Sequence, residues 1–256
     1  MSDSGQKHIS FSELKLWKEC PHKRKLVYED KLKGFVGNIY TAFGTAVHLA
    51  CEKGYTENSG PEDRKKIFVK SFEEETGRLG IEQDSEWEKF KEQGLILSSE
   101  AVSITKQYFP DWEVFSAEEK LYESIDSENY NFKGFIDLIL KKDDKYILID
   151  WKTCSWGWDA RRKSDKMTVY QLSYYKNFFA KKYNIDLNNI ETYFILLKRT
   201  AKKNRVELLR VTNGQKRLDN SKKLLTNALI NIKKGFNIKN RLSCRFCEFK
   251  NTEYCT

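Results

Sequence analysis

With 256 residues, a formal charge of +9, 39% apolar and 14% aromatic side chains, the chain has enough apolar surface to bury a core of its own. Its three prolines are too few for an extended linker. No apolar run approaches the roughly 20 residues that span a bilayer, and Met1–Ser10 is polar with no apolar core, so neither a membrane anchor nor a secretory leader is expected. Residues 52–92 hold 12 Asp/Glu against 8 Lys/Arg, which leaves a strongly basic remainder suited to a phosphate polymer or, more plainly, to solvated lysine faces.

Ser10, with Glu13 three residues on, reads as a capping box that opens a helix running to about Cys20, where Pro21 ends it. A helix over Thr41–Lys53 puts Phe43, Val47 and Ala50 on one face. Longer helices follow over Glu62–Thr76 and Ser85–Tyr108, the second stopping before Pro110, and give a helical cover over about 54–110. Residues 112–122, 131–140 and 145–151 are apolar or alternating runs parted by polar turns such as Asp143-Asp144, and they read as three successive strands. A helix over Lys166–Lys182, strands over Ile190–Lys198 and Arg205–Val211, and a helix over Asn213–Lys233 precede a cysteine-bearing tail. This order predicts an α/β fold in one unit over 1–256, a mixed sheet flanked by helices.

The sharpest chemical signal lies on the second and third strands. Gly134-Phe135-Ile136-Asp137 sets a carboxylate inside an apolar run, and Ile147-Leu148-Ile149-Asp150-Trp151-Lys152 ends another. Residues two apart on a strand share a face, so Asp150 and Lys152 point together, and a hairpin brings Asp137 to the same place. Two carboxylates meeting in apolar surroundings repel unless a cation lies between them, and hard oxygen donors suit Mg²⁺ or Mn²⁺. A neighbouring lysine can stabilise charge developing on a phosphate. Of Glu118 and Glu119 on the first strand, alternation allows one to face inward, and Glu119 is the expected one.

With these motifs in place, the chain resembles the PD-(D/E)XK nuclease superfamily, and within it the RecB-like branch of Cas4, the AddB nuclease domain and Dna2. Gly134 to Asp137 and Asp150 to Lys152 match its two catalytic strands, His48 in Gly44-Thr45-Ala46-Val47-His48 matches its helical metal ligand, and Gln171 with Tyr175 matches its Gln-x-x-x-Tyr helix. The resemblance implies a restriction-endonuclease-like core with a helical insertion. It also implies metal held by His48, Asp137, Asp150 and the Trp151 carbonyl, and catalysis by Asp137, Asp150 and Lys152 with Gln171 and Tyr175 in support.

Six cysteines in a chain expected in the cytoplasm (a host's, for a viral protein) are thiols or metal ligands rather than disulfides. Cys244-Arg245-Phe246-Cys247 is a Cys-x-x-Cys, with Cys255 further on and Cys20 far upstream. Four thiolates suit structural Zn²⁺ as well as a [4Fe–4S] cluster. The nuclease resemblance implies the iron–sulfur cluster, a staple of Cys20 to Cys244, Cys247 and Cys255. Cys51 and Cys154 fit neither set and are expected to pack as small hydrophobes.

Trp156, Trp158, Arg161 and Arg162 follow Lys152 closely, as stacking and phosphate-holding groups for a DNA strand or as packing residues. The basic cluster Lys198–Arg205 reads as a solvated turn, and His22–Lys25 as a DNA path or plain surface. The expected function is therefore a metal-dependent DNA exonuclease acting on single strands or ends in repair, recombination or phage DNA processing. The alternatives are a non-catalytic DNA-binding or assembly subunit on the same fold and a zinc-stabilised nucleic-acid-binding module. The sequence has no Gly-Lys-Ser/Thr phosphate loop, so a helicase or recombination protein would be a separate partner.

Overall fold

The computed structural model of the protein describes residues 7–125 and 129–255, so the first six residues of the polar N-terminal segment lie outside it. In chain order the elements are β1 (His8–Ser10), α1 (Phe11–Glu19), α2 (Pro21–Tyr28), α3 (Ile39–Thr56), α4 (Pro61–Arg78), α5 (Ser85–Tyr108), β2 (Glu113–Ile125), β3 (Tyr130–Lys142), β4 (Lys145–Cys154), α6 (Ala160–Ser164), α7 (Lys166–Tyr183), β5 (Ile190–Lys198), β6 (Val206–Arg210) and α8 (Gln215–Lys233). Short 3₁₀ turns cover Leu187–Asn189 and Arg241–Phe246.

Six strands form one mixed sheet between two helical layers, the α/β arrangement expected. β3 and β4 make an antiparallel hairpin around Asp143-Asp144, where Asp143 takes the left-handed backbone (φ +53°) that short acidic side chains tolerate in tight turns. β2 runs antiparallel along β3 from Glu113↔Lys141 to Ile125↔Tyr130. The other edge of β3 is divided. β4 pairs with it over Leu138–Lys142 and β1, parallel, over Asn131–Lys133, so the edge from Gly134 to Asp137 has no partner strand. β5 joins β4 in parallel after the α6–α7 crossover, and β6 closes that side antiparallel.

Alternation along β4 divides its side chains between the layers. Ile147, Ile149 and Trp151 enter the core shared with α3, α4 and α5, where Phe43, Val47, Phe68 and Trp87 pack. Leu148 enters the opposite core with Phe132, Leu172, Phe179 and Leu229 from β3, α7 and α8. α4 and α5 touch closely at Gly94, where an added Cβ would lie 1.9 Å from Phe68 Cζ. No helix among the described residues is long and apolar enough to cross a membrane.

Two local expectations are corrected and two short elements are added. Ser10 does cap α1 through the Glu13 N–H (3.1 Å), but the Glu13 carboxylate turns to Arg24 Nε (2.8 Å), and the reciprocal box forms at Asn38 and Thr41 instead. Pro21 ends α1 and also begins α2, because a prolyl ring with no N–H fits the first helical position. β1 and α6, of three and five residues, are too short to leave a periodic signal.

Candidate active site

The unpartnered edge of β3 positions the site. The β3–β4 ladder stops at Leu138↔Ile149, and the next N–H along, that of Trp151, donates to Asp137 Oδ2 at 2.6 Å. A carboxylate thus replaces a strand at the point where β4 leaves β3. Asp150 and Lys152, one on each side of Trp151, share the face opposite the Trp151 indole, and their carboxylate and ammonium form an ion pair.

Helices from both layers reach this gap. From α3, His48 Nδ1 lies 3.7 Å from Asp137 Oδ2, with its ring edge-on to Trp151. From α7, Gln171 Nε2 donates to Asp150 Oδ1 (2.8 Å) and to Tyr175 Oη (3.0 Å), the two side chains being one helical turn apart. His48, Asp137, Asp150, Lys152, Gln171 and Tyr175, scattered over 128 positions of sequence, are therefore in one place.

Burial governs the protonation of this set. It raises the Asp137 pKa to about 6 against the downward pull of the Lys152 ammonium and the Trp151 N–H. Burial likewise brings Asp150 to about 6, with Lys152 lowering it and Asp137 raising it. Enclosure lowers His48 to about 4, aided by Lys152, so its ring is neutral at pH 7 with a lone pair for a cation. Asp150 Oδ2 is buried without a hydrogen bond, facing only the ammonium among the described residues. Two buried carboxylates beside a neutral imidazole fit a divalent cation of the Mg²⁺ or Mn²⁺ kind. Among the described residues no three His, Cys, Asp or Glu are gathered into a ready-made cage.

The third carboxylate is Glu118 rather than Glu119. Ala117↔Leu138 and Glu119↔Ile136 flank the rung at which Glu118 faces Asp137, and Glu118 takes a left-handed backbone (φ +51°) uncommon for its residue type. Burial, then the charges of Asp137, Glu52 and Asp150, push its pKa to about 7. Glu119 is turned to α7: against burial, bonds from Lys182, Ser116 and Tyr183 hold its carboxyl below the usual range. Alternation allowed only one of the pair to face inward and did not say which; the preference for Glu119 is corrected, because the left-handed turn at Glu118 and the bulge between Val114 and Ser116 set the side chains of β2 in a way the sequence does not display.

The basic and aromatic candidates separate. Trp158 is buried edge-on against Phe194 (5.1 Å), with the Arg162 guanidinium 4.8 Å from its ring, while Trp156 is 78% exposed and Arg161 is exposed. His22–Lys25 does not form an open path, since Lys23 pairs with Glu248 (2.8 Å), Arg24 with Glu13 and Glu29, and Lys25 with Asp30. Cys20, Cys244, Cys247 and Cys255 are free thiols lining one small cavity between α2 and the tail, as their spacing in the chain could not have shown. Cys51 is buried in the α3 core with its thiol pushed up to about 12 by burial, and Cys154 packs at the margin of the opposite core.

A family model of the PD-(D/E)XK nuclease superfamily matches residues 8–254. Among solved structures, a protein from Eubacterium rectale described as a candidate exonuclease superposes with a TM-score of 0.62 at 11% identity, over 94% of this chain and 86% of its own. At that identity the likeness speaks for the fold. The structure of SSO0001 aligns over 90% of this chain and 91% of its own, at 14% identity and a TM-score of 0.38. No curated protein sequence matches.

Proposed function

The chain belongs to the PD-(D/E)XK nuclease superfamily, and from that premise we propose that it is a metal-dependent deoxyribonuclease, an exonuclease acting on single strands or DNA ends. The observation that carries this reading is the meeting of two buried carboxylates, Asp137 and Asp150, beside the Lys152 ammonium at the unpaired edge of β3. Burying such a pair has no structural reward, since a like-charged couple out of water destabilises the fold that holds it.

His48, Asp137, Asp150 and the Trp151 carbonyl would hold Mg²⁺ or Mn²⁺, with Glu118 as a further carboxylate opposite Asp137. When bound, the cation supplies Lewis-acid charge to the phosphate and makes water a better nucleophile. Lys152, held beside Asp150, would orient the attacking water and offer its ammonium to charge developing on the phosphate oxygens. Gln171 fixes the Asp150 carboxylate through Oδ1, and Tyr175, accepting from the same amide, fixes Gln171; both are positioning residues. Repair, recombination and phage DNA processing are the settings that this activity suits, with any helicase a separate chain.

Acidity tests the assignment. Asp137 and Asp150 keep their protons to about pH 6 and must release them before a cation seats, whereas His48 is neutral well below that. With end-labelled single-stranded DNA and limiting Mg²⁺, the initial rate should rise by up to about a hundredfold for each pH unit well below 6, since two protons must leave, and level off above it. A flat profile between pH 5 and 7, or cleavage undiminished by EDTA, counts against it.

The thiols Cys20, Cys244, Cys247 and Cys255 would hold a [4Fe–4S] cluster, with Zn²⁺ as the alternative occupant. Protein purified without oxygen should be brown and carry about four irons per chain, and Cys255→Ser should lose the colour. Colourless wild-type protein containing zinc assigns the site to zinc; one with neither metal removes it.

A further inference from the structure

Beyond the catalytic gap, the same face of α3 continues away from it. Tyr40, Gly44 and His48 recur at four-residue intervals, so they form one stripe whose catalytic end is His48. At Gly44 the stripe is bare, and a Cβ there would lie 3.2 Å from Thr153 Oγ1, just past Lys152 on β4. Tyr40, about 12 Å along the helix from His48, is half exposed and opens onto a cleft of about 360 Å³. Trp156, Arg162 and Arg199 line that cleft with it, and Cys154 lies at its wall.

Arg199 belongs to the cluster that the sequence assigned to a solvated turn, yet it is fixed. Its N–H donates to the Cys154 carbonyl (2.7 Å), and its guanidinium lies 3.9 Å from the Phe90 ring centre and 5.5 Å from that of Tyr40. Gln93 Oε1 (2.6 Å) and Ser155 Oγ (3.3 Å) accept from its two terminal nitrogens, which leaves donors of the five-membered set still to be used. Among the described residues no carboxylate lies within ion-pair distance of Arg199 or Arg162, Glu86 acting on Arg199 only from farther off, whereas the adjacent Lys163, Lys198 and Arg205 are paired with Glu207 and Glu100. Beside these cations stands Trp156, 78% exposed and with no other ring against it among the described residues. Large exposed indoles contribute nothing to a core, and a flat ring next to unneutralised guanidinium groups matches one nucleotide of an unpaired strand.

We infer that the cleft between Tyr40, Trp156, Arg162 and Arg199 is a single-strand subsite. It holds one nucleotide of the DNA strand next to the scissile phosphate, with its phosphate on the two arginines and its base stacked on Trp156 or Tyr40. This rests on the nuclease reading for the identity of the strand, and it gives that reading a physical source of strand selection. A paired base keeps both faces in the duplex stack and cannot occupy the ring platform, so duplex ends must fray before they enter. Recognition by ring faces and guanidinium groups is indifferent to sequence.

The test is binding, in EDTA, of a fluorescein-labelled oligothymidylate and of a blunt duplex of the same length, followed by cleavage of both with Mg²⁺. Trp156→Ala removes an exposed ring and spares the core; Arg199→Lys keeps the charge but loses the fork. Both variants should bind the single strand roughly 5- to 100-fold more weakly, change duplex binding far less, and lower the single-strand to duplex ratio of kcat/KM. An unchanged single-strand affinity in Trp156→Ala, or an equal loss on both substrates, overturns the subsite while leaving nuclease activity in place. Wild-type protein that binds the single strand through Trp156 but cleaves nothing overturns the nuclease reading and keeps the subsite.

Discussion

Replacing Lys152 with alanine is expected to lower DNA cleavage by about 10²- to 10³-fold, the scale on which a single preorganised donor to a transition-state oxyanion contributes. The ammonium is fixed at its foot by β4, paired with Asp150 at its tip, and lies 5.8 Å from the Phe194 ring centre. Its removal also withdraws the charge that holds the Asp137 and Asp150 carboxyls down, so the rise of rate with pH should move to higher pH in the variant. That displacement separates a lost catalytic group from a damaged fold, which would lower the rate equally at every pH. Circular dichroism and initial rates on end-labelled DNA between pH 5.5 and 9 suffice. Activity within about threefold of wild type would remove Lys152 from the catalytic set and leave its ion pair with Asp150 a structural one.

Asp137→Asn should have the opposite effect on stability: a protein that no longer cleaves but melts at a higher temperature when divalent ions are absent. The folded chain holds the Asp137 proton to about pH 6, whereas an unperturbed aspartate releases it near 3.8. Proton binding therefore favours the folded state fully below the lower value, and the advantage is lost as pH rises through the upper one. At pH 8 in EDTA the carboxylate is charged and buried, and replacing it with an amide, which still accepts the Trp151 N–H, should stabilise by about 3 kcal/mol. In a chain of this size that corresponds to roughly 6–12 °C in Tm. Near pH 4 the gain should vanish. Mg²⁺ or Mn²⁺ should raise the Tm of wild type at pH 8 and leave the variant where it was. A lower Tm for the variant in EDTA at pH 8 would mean that the carboxylate is a structural acceptor and not a strained ligand.

Much of this site was legible in the chain because its chemistry violates local rules. Asp137 and Asp150 interrupt apolar strands, and Lys152 follows at strand spacing, so pattern alone placed all three on adjacent strands. α5 was legible to the residue, since Asp84 caps its first turn and Pro110 lies just beyond its last. What escaped was set by tertiary geometry. The choice of Glu118 over Glu119 depends on a left-handed residue inside β2, and the fixing of Arg199 depends on Phe90 and Gln93, more than a hundred positions upstream. The divided edge of β3 was invisible for the same reason: β1 spans three residues, and only its parallel pairing shows that it and β4 occupy the same side.

The tail has a bearing on how the molecule is made. Asn240 Nδ2 donates to the Glu19 carbonyl (2.8 Å), His22 N to the Ile238 carbonyl (3.3 Å), and Glu248 reaches both Lys23 and the Phe35 N–H. Residues 19–35 and 238–248 are thereby fastened to each other, so during vectorial synthesis α1 and α2 wait for these partners until roughly 200 further residues have followed them.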